Sequence, residues 1–292
     1  MNRIVQPELL DTLPPADPRA VRSRRDLCRI NSWMRNPAIM AGALQNQLNG
    51  CSGSRQTAAF LPDVGASGSL PRAAKSVLHI TELGAGDGDF LLRTAWRLAA
   101  HGVPSPLPPN GADRLKPELQ TVRVRATLLD RQGLVTPQTL ALFAALGWRA
   151  ETVVADAFAW ANNREHRLPA GELTGHESTS RQDAGVPGIV IANLFLHHFE
   201  DGRLKELLGA IAAQARCFVA LEPRRASWPL FCCRLIWLIG CNSVTRHDAV
   251  VSVRAGFSGE ELSALWPDKQ QWQLTERRAG PFSHLFVARR RN

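Results

Sequence analysis

Glycines alternate with other residues in one short stretch of the chain, ITELGAGDGDFLLR (residues 80–93), and several of those other residues are acidic. Gly84, Gly86 and Gly88 occupy every second position, Glu82 precedes them, and an aspartate follows each of the last two glycines. Glycine adopts backbone conformations closed to other residues and lets the main chain approach a ligand closely. Because acidic groups repel phosphate oxygens, the stretch favours a ligand that carries positive charge over a diphosphate.

The spacing of these glycines also differs from the dinucleotide-binding fingerprint. That fingerprint is G-x-G-x-x-G, and its third glycine lets the helix pack closely on the strand. Here the spacing is G-x-G-x-G, and Asp89 stands at the position of the third glycine. A nicotinamide-dependent enzyme is therefore the weaker alternative, and binding of NADH would restore it.

Strand and helix patterns alternate around this turn. Apolar runs typical of strands are followed by amphipathic segments such as FLLRTAWRLAA (90–100). This alternation is typical of βαβ units, which build a parallel sheet with helices on both faces. The predicted strands are SVLHITEL (76–83), RVRATLLD (123–130), RAETVVAD (149–156), GIVIAN (188–193), CFVALEP (217–223) and the closing pair QWQLTER (271–277) and SHLFVAR (283–289).

Polar side chains stand at the ends of four of these strands. They are Asp130, Asp156, Asn193 and Glu222. Ligands of parallel sheets bind at the carboxyl ends of the strands, so we expect these residues and the glycine turn along one edge. Taken singly, each is equally well explained as a solvated strand end, and the glycines as an ordinary tight turn. Together they predict one ligand site.

The glycine stretch resembles the first motif of class I S-adenosylmethionine-dependent methyltransferases, in which an acidic residue precedes G-x-G-x-G. The resemblance extends over about residues 77–289. It implies an α/β fold with a Rossmann-like, doubly wound, seven-stranded sheet, mostly parallel, whose last two strands form an antiparallel hairpin. It also implies S-adenosyl-L-methionine as the cofactor.

The resemblance implies a role for each strand end. Glu82 would lie near the methionyl amino end of the cofactor, Asp130 would accept hydrogen bonds from the ribose hydroxyls, and Asp156 would bind the adenine amine. One departure is that Asp130 lies 42 residues beyond Gly88 (130 − 88), which a Pro-rich insert at 102–120 would absorb as a surface loop. The implied cofactor-binding residues are Glu82, Gly84, Ala85, Gly86, Gly88, Asp130, Arg131, Asp156, Ala157 and Asn193.

Three histidines are candidates for a catalytic base. The segment IANLFLHHF (191–199) resembles the one that follows the fourth strand in small-molecule methyltransferases, where the histidine pair borders the substrate. Methylation of a phenolic oxygen requires removal of its proton, for which a histidine suits. We therefore expect His198, His197 or His247 in this role, although a packed or surface histidine is the alternative for each one. We expect no metal, because the six cysteines follow no metal-ligand spacing.

The most apolar run, WPLFCCRLIWLIG (228–240), permits two interpretations. It predicts either a core helix packed on the sheet or a lid over a pocket for an apolar substrate. With Trp33 and an N-terminal helix it would close over the site. We therefore expect a hydrophobic small-molecule methyl acceptor of phenolic, polyketide-like or quinone-like type.

The organisation and composition of the chain leave two other functions open. We predict an N-terminal helical and loop appendage over residues 1–76 and a methyltransferase domain over 77–292, with no membrane-spanning segment and a cytoplasmic location. A net charge of +9 is compatible with an RNA methyltransferase, but the arginines are scattered and no proline follows the fourth strand as in base-methylating enzymes. A catalytically silent partner protein that binds the cofactor is the other alternative.

Overall fold

The computed structural model describes residues 1–49, 77–100, 123–162 and 188–291. The predicted insert at 102–120 and the loop part of the predicted appendage lie outside the described residues. The helices are α1 (Leu9–Thr12), α2 (Pro18–Trp33), α3 (Asn36–Asn49), α4 (Asp89–Ala100), α5 (Pro137–Ala145), α6 (Ala157–Asn162), α7 (Asp201–Gln214), α8 (Ser227–Cys233), α9 (Ser243–Ala255) and α10 (Glu261–Leu265). The strands are β1 (Val77–Leu83), β2 (Arg123–Asp130), β3 (Trp148–Val154), β4 (Ile189–Asn193), β5 (Cys217–Pro223), β6 (Trp272–Ala279) and β7 (Ser283–Arg290).

The seven strands form one sheet in the order β3-β2-β1-β4-β5-β7-β6. Strands β1 to β5 run parallel, and β7 lies antiparallel between β5 and β6. This arrangement confirms the predicted sheet and its closing hairpin. Leu83 at the end of β1 lies opposite Leu129 of β2 and Ala192 of β4, so these strands end at nearly the same level. The residues that follow them therefore share one edge of the sheet.

Both faces of the sheet are covered by apolar cores. Ile80 and Ile191 contribute to a core beneath α3, α4 and α5, whereas Leu83 and Val190 contribute to a second core beneath α6, α7 and α10. Successive strand residues face opposite sides of a sheet. Glu82 therefore faces the same side as Ile80, toward the α3–α4 layer.

The N-terminal helix α3 is part of the first core. Its side chains Met40 and Leu44 are fully buried and belong to the same cluster as Leu91 of α4. Helix α3 lies against α4 and β5 and belongs to the helical layer on that face of the sheet. The predicted boundary at residue 76 stays a prediction.

The apolar run at 228–240 is not a core helix, so that interpretation is wrong. It forms the short helix α8 and a 3-10 turn, Ile236–Ile239. Trp228, Phe231, Trp237 and Leu238 are each more than half exposed. Nowhere in the described ranges is a helix both long and apolar enough to cross a membrane.

Candidate functional site

The turn after β1 depends on its glycines. Gly84, Gly86 and Gly88 have φ angles of +67°, +57° and +78°, in the left-handed region that disfavours side chains. The Ala85 amide donates to the carbonyl of Leu129 at 3.0 Å, which ties the turn to β2. The glycine turn is thus fixed at the edge of the sheet where β1 and β2 end.

The space in front of the glycines differs along the turn. A Cβ atom on Gly86 would meet nothing within 4 Å, whereas one on Gly84 would lie 2.5 Å from the ring of Phe195. Phe195 follows β4, and its neighbour Leu194 has a φ of +52°, a strained conformation for a branched residue. The Phe195 ring therefore borders the glycine turn, a contact that the sequence did not reveal.

Asp130 ends β2, as predicted, and its side chain contacts the turn. Its Oδ2 accepts a hydrogen bond from the Gly86 amide at 2.9 Å, and its Oδ1 accepts one from the Gln132 amide at 2.8 Å. These bonds fix the carboxylate beside the glycines and leave its remaining lone pairs free to accept further donors. Arg131, the next residue, is exposed.

Asp156 lies two residues beyond the end of β3 and opens α6. Its Oδ1 accepts a hydrogen bond from the Phe158 amide at 2.8 Å, while the carboxylate itself is exposed. Ala157 beside it is buried. The Ala155 amide donates to the main-chain carbonyl of Asp130 at 3.0 Å, so the ends of β2 and β3 stay together.

Glu82 is the buried member of the set. Its side chain is 1% exposed, and its Oε2 has no hydrogen-bond partner among the described residues. Burial, and after it the carboxylates of Asp87 and Asp130, raise the pKa of Glu82 well above its usual value of 4.5. A cationic group at this place would remove both penalties, because it would supply a donor and offset the negative charges.

The N-terminal helices lie over the same edge. The Asn36 side-chain amide donates to Asn193 Oδ1 at 3.3 Å, and the Asn193 amide donates to Asn31 Oδ1 at 3.4 Å. Burial, with the charges of Asp87 and Asp89 nearby, raises the pKa of the Cys28 thiol of α2 to about 12. Helices α2 and α3 therefore border the glycine turn and Asn193.

His197 is held between two carboxylates. Its Nδ1 lies 2.8 Å from Glu222 Oε2, and its Nε2 lies 3.2 Å from Glu8 Oε1 in the N-terminal segment. Burial opposes the charged ring, but the hydrogen bonds to Glu222 and Glu8 outweigh it and raise the pKa of His197 to about 9. His197 is thus a buried imidazolium with both nitrogens engaged, which suits positioning better than proton removal.

Glu222 holds the whole turn after β4. Its Oε1 accepts hydrogen bonds from the Phe195 and Leu196 amides at 3.1 and 2.9 Å, in addition to the bond with His197. Glu222 is fully buried near the end of β5. Its hydrogen bonds therefore fix this turn against the sheet.

The other two candidate histidines are more accessible. The Nδ1 of His198 lies 3.3 Å from Asp11 Oδ2, and its ring lies 4.3 Å from that of His197. The Nδ1 of His247 lies 3.0 Å from Asp248, whose carboxylate also accepts the first amides of α1. The donor atoms of Glu8, His197 and His198 all lie within 4.8 Å of one another, close enough to share a metal ion.

An apolar cavity of about 440 Å³ lies between α2, α4 and the turn Ile236–Ile239. It adjoins the glycine turn through Arg93, which pairs with Asp89 at 2.5 Å. The residues that line it are Cys28, Arg29, Ser32, Trp33, Arg93 and Ile239.

Comparison with known proteins gives a likeness in structure. No protein-family model matches the chain, and no curated protein matches it in sequence. The plantazolicin methyltransferase BpumL in complex with SAH superimposes with a TM-score of 0.51 at 10% identity, over 94% of this chain and 92% of that one. The same enzyme in complex with a monoazolic desmethylPZN analog and SAH gives a TM-score of 0.52 with the same coverage.

A weaker likeness is to an O-methyltransferase family protein from Burkholderia thailandensis, with a TM-score of 0.42 and 15% identity over 73% of this chain. The chain spans about half the length of that protein, 51%. The likeness to BpumL extends over nearly the whole of both chains and shows that this chain has the same fold.

Proposed function

We propose that the chain is an S-adenosylmethionine-dependent methyltransferase that methylates a hydroxyl group of a hydrophobic small molecule of phenolic, polyketide-like or quinone-like type. The observation that carries the proposal is the buried, unpartnered Oε2 of Glu82 beside a left-handed glycine turn. A site that buries a carboxylate among other carboxylates favours a cationic ligand, which a sulfonium nucleoside with a free amino group supplies.

The residues at the strand ends fit this cofactor. Glu82 would hold its amino end, Asp130 its ribose hydroxyls, and Asp156 with Ala157 its adenine. The open space before Gly86 gives the main chain room for close approach. When bound, the cofactor supplies a methyl group on a positively charged sulfur, which becomes a neutral thioether after transfer.

His198 is the proposed base. It lies in the 3-10 turn that Glu222 fixes, and its Nε2 has no hydrogen-bond partner among the described residues. It would take the proton of the acceptor hydroxyl, leaving an oxygen nucleophile for the methyl group. His197, held by Glu8 and Glu222, would keep this turn in place as a positioning residue.

The acceptor is proposed to enter through the cavity beside Trp33 and Ile239. Its largely apolar walls favour an aromatic ring over a polar metabolite. The test is transfer of tritium from labelled S-adenosylmethionine to a panel of alkylated phenols, hydroxyquinones, polar amino acids and RNA. The proposal expects labelled phenols. Label found only in polar metabolites or RNA, or in none of them, would overturn it.

A further inference from the structure

The segment from α8 to the turn Ile236–Ile239 leaves many of its large apolar side chains exposed. Trp228, Phe231, Leu235, Trp237 and Leu238 are each between 41% and 62% exposed within eleven residues, and Trp33 of α2 is 72% exposed. Several large apolar side chains exposed together on a folded protein mark an interaction site. These six residues are called the apolar surface below.

The helix α8, which carries part of the apolar surface, is packed on α9. Pro229 of α8 is buried, and the Cys233 thiol donates a hydrogen bond to the Ala249 carbonyl of α9 at 3.3 Å. The rings of Trp228 and Phe231 stack with centroids 5.9 Å apart. The inner side of α8 is therefore packed on α9, while its outer side presents aromatic rings to the surroundings.

Arginines outnumber acidic side chains around the apolar surface, and the acidic Asp26 of α2 is buried and paired with Arg29. Residues 223–247 contain four arginines and no aspartate or glutamate. Of these, Arg234 and Arg246 are exposed. On the adjoining α2, the exposed side chains of Arg22 and Arg29 donate to the carbonyls of Gly240 and Ile239, at the end of the apolar turn.

We propose that the apolar surface docks the protein on a phospholipid bilayer with anionic headgroups. Tryptophan and phenylalanine partition to the boundary between headgroups and acyl chains, and a rim of arginines adds attraction to anionic lipid. A protein partner would need acidic groups opposite these four exposed arginines, whereas an anionic bilayer provides them everywhere. The docked protein lies on the membrane and does not span it.

The test is co-sedimentation of the full chain with vesicles of phosphatidylcholine alone and of phosphatidylcholine with phosphatidylglycerol. We expect sedimentation with the anionic vesicles, and weaker sedimentation at raised salt. The double variant Trp237→Ser/Leu238→Ser should bind at least about tenfold more weakly, because two large apolar side chains no longer enter the lipid. Arg234→Glu should bind the anionic vesicles at least about fivefold more weakly, because the substitution reverses one charge that attracts the lipid.

Leu142→Ser, on α5 and outside the apolar surface, is the matched control and should bind as the parent does. All the substituted side chains are at least 38% exposed or lie in exposed positions, so the melting temperatures should stay unchanged. Equal binding of the parent and the double variant would overturn the proposal. The proposal would also be overturned if light scattering showed that the parent is a dimer and the double variant a monomer, because a second copy would then cover the apolar surface.

Discussion

Asp130 accepts a hydrogen bond from the Gly86 amide at 2.9 Å, across 44 residues of sequence. The end of β2 is thereby attached to the glycine turn that follows β1, at a glycine with open space where a Cβ would lie. This relationship links the two parts of the proposed cofactor site.

Replacing Gly84 by alanine should abolish cofactor binding. The new Cβ would lie 2.5 Å from the Phe195 ring in a backbone with φ of +67°, so both the ring and the turn must shift. Gly209→Ala is the control, because that helical position has free space and alanine there should stabilise α7 by about 0.5–1 kcal/mol. Calorimetric titration with S-adenosylhomocysteine checks both variants. Unchanged affinity in Gly84→Ala would show that the turn does not border the ligand.

Replacing Glu82 by glutamine should stabilise the ligand-free protein while weakening cofactor binding. The raised pKa of Glu82 means that its ionisation opposes folding above pH 4.5, its usual value. The native state therefore loses stability relative to the variant as the pH rises from 4.5 through the pKa of the folded protein. Melting temperatures measured from pH 5 to pH 8 should show a gain for Glu82→Gln that grows with pH. A variant less stable than the parent at every pH would contradict this role.

The ion pair of Glu8 and His197 should stabilise the fold most between about pH 4.5 and 6.5. The pKa of His197 is raised from 6.5 to about 9, so its contribution is complete below 6.5 and is lost as the pH rises through 9. Burial alone would raise the pKa of Glu8, but its hydrogen bond to His197 lowers it from 4.5 to about 2, so that contribution is complete above pH 4.5 and is lost as the pH falls through 2.

Glu8→Gln should therefore cost about 1–3 kcal/mol near pH 6 and less above pH 9. Glu206→Gln is the control, because the Arg203–Glu206 pair is exposed and such pairs contribute little. Urea unfolding at several pH values measures both. A loss in Glu8→Gln that does not change with pH would exclude the ion pair as its cause.

Replacing His198 by glutamine should lower kcat for a phenolic acceptor by about 10²–10⁴, with S-adenosylhomocysteine affinity preserved, because only proton removal is lost. His247→Gln should retain most of the activity, since that half-exposed ring pairs with Asp248 on α9. Partial recovery of the His198→Gln rate with acceptors of lower phenolic pKa would support the role. If His247→Gln alone loses activity, the base is His247.

Much of the sheet was predictable because β1, β2, β4 and β5 are short apolar runs with a polar residue at or near the end. RVRATLLD became β2 over the same residues, and the two closing runs became β6 and β7. These patterns depend on residues near one another in sequence, as do the positive φ angles of the glycine turn. Helix α9 is not indicated by the sequence pattern, because the side chains that it buries include the polar Thr245 and Asp248.

The contacts that complete the site were not predictable, since they join distant segments. Glu8 and His197 are 189 residues apart, and Asn36 and Asn193 are 157 apart. No local pattern marks either pair. The exposure of the run at 228–240 was also not predictable from the sequence, because an apolar run looks the same whether a core, a ligand or a lipid surface covers it.

Binding of S-adenosylhomocysteine to the parent chain and to Asp130→Ala, compared with NADH, tests the central claim most directly. A ligand that binds only the folded protein raises the melting temperature. The account predicts a rise of several degrees for the parent with S-adenosylhomocysteine, a much smaller rise for Asp130→Ala, and none with NADH. A rise with NADH alone, or no rise with either ligand, would contradict it.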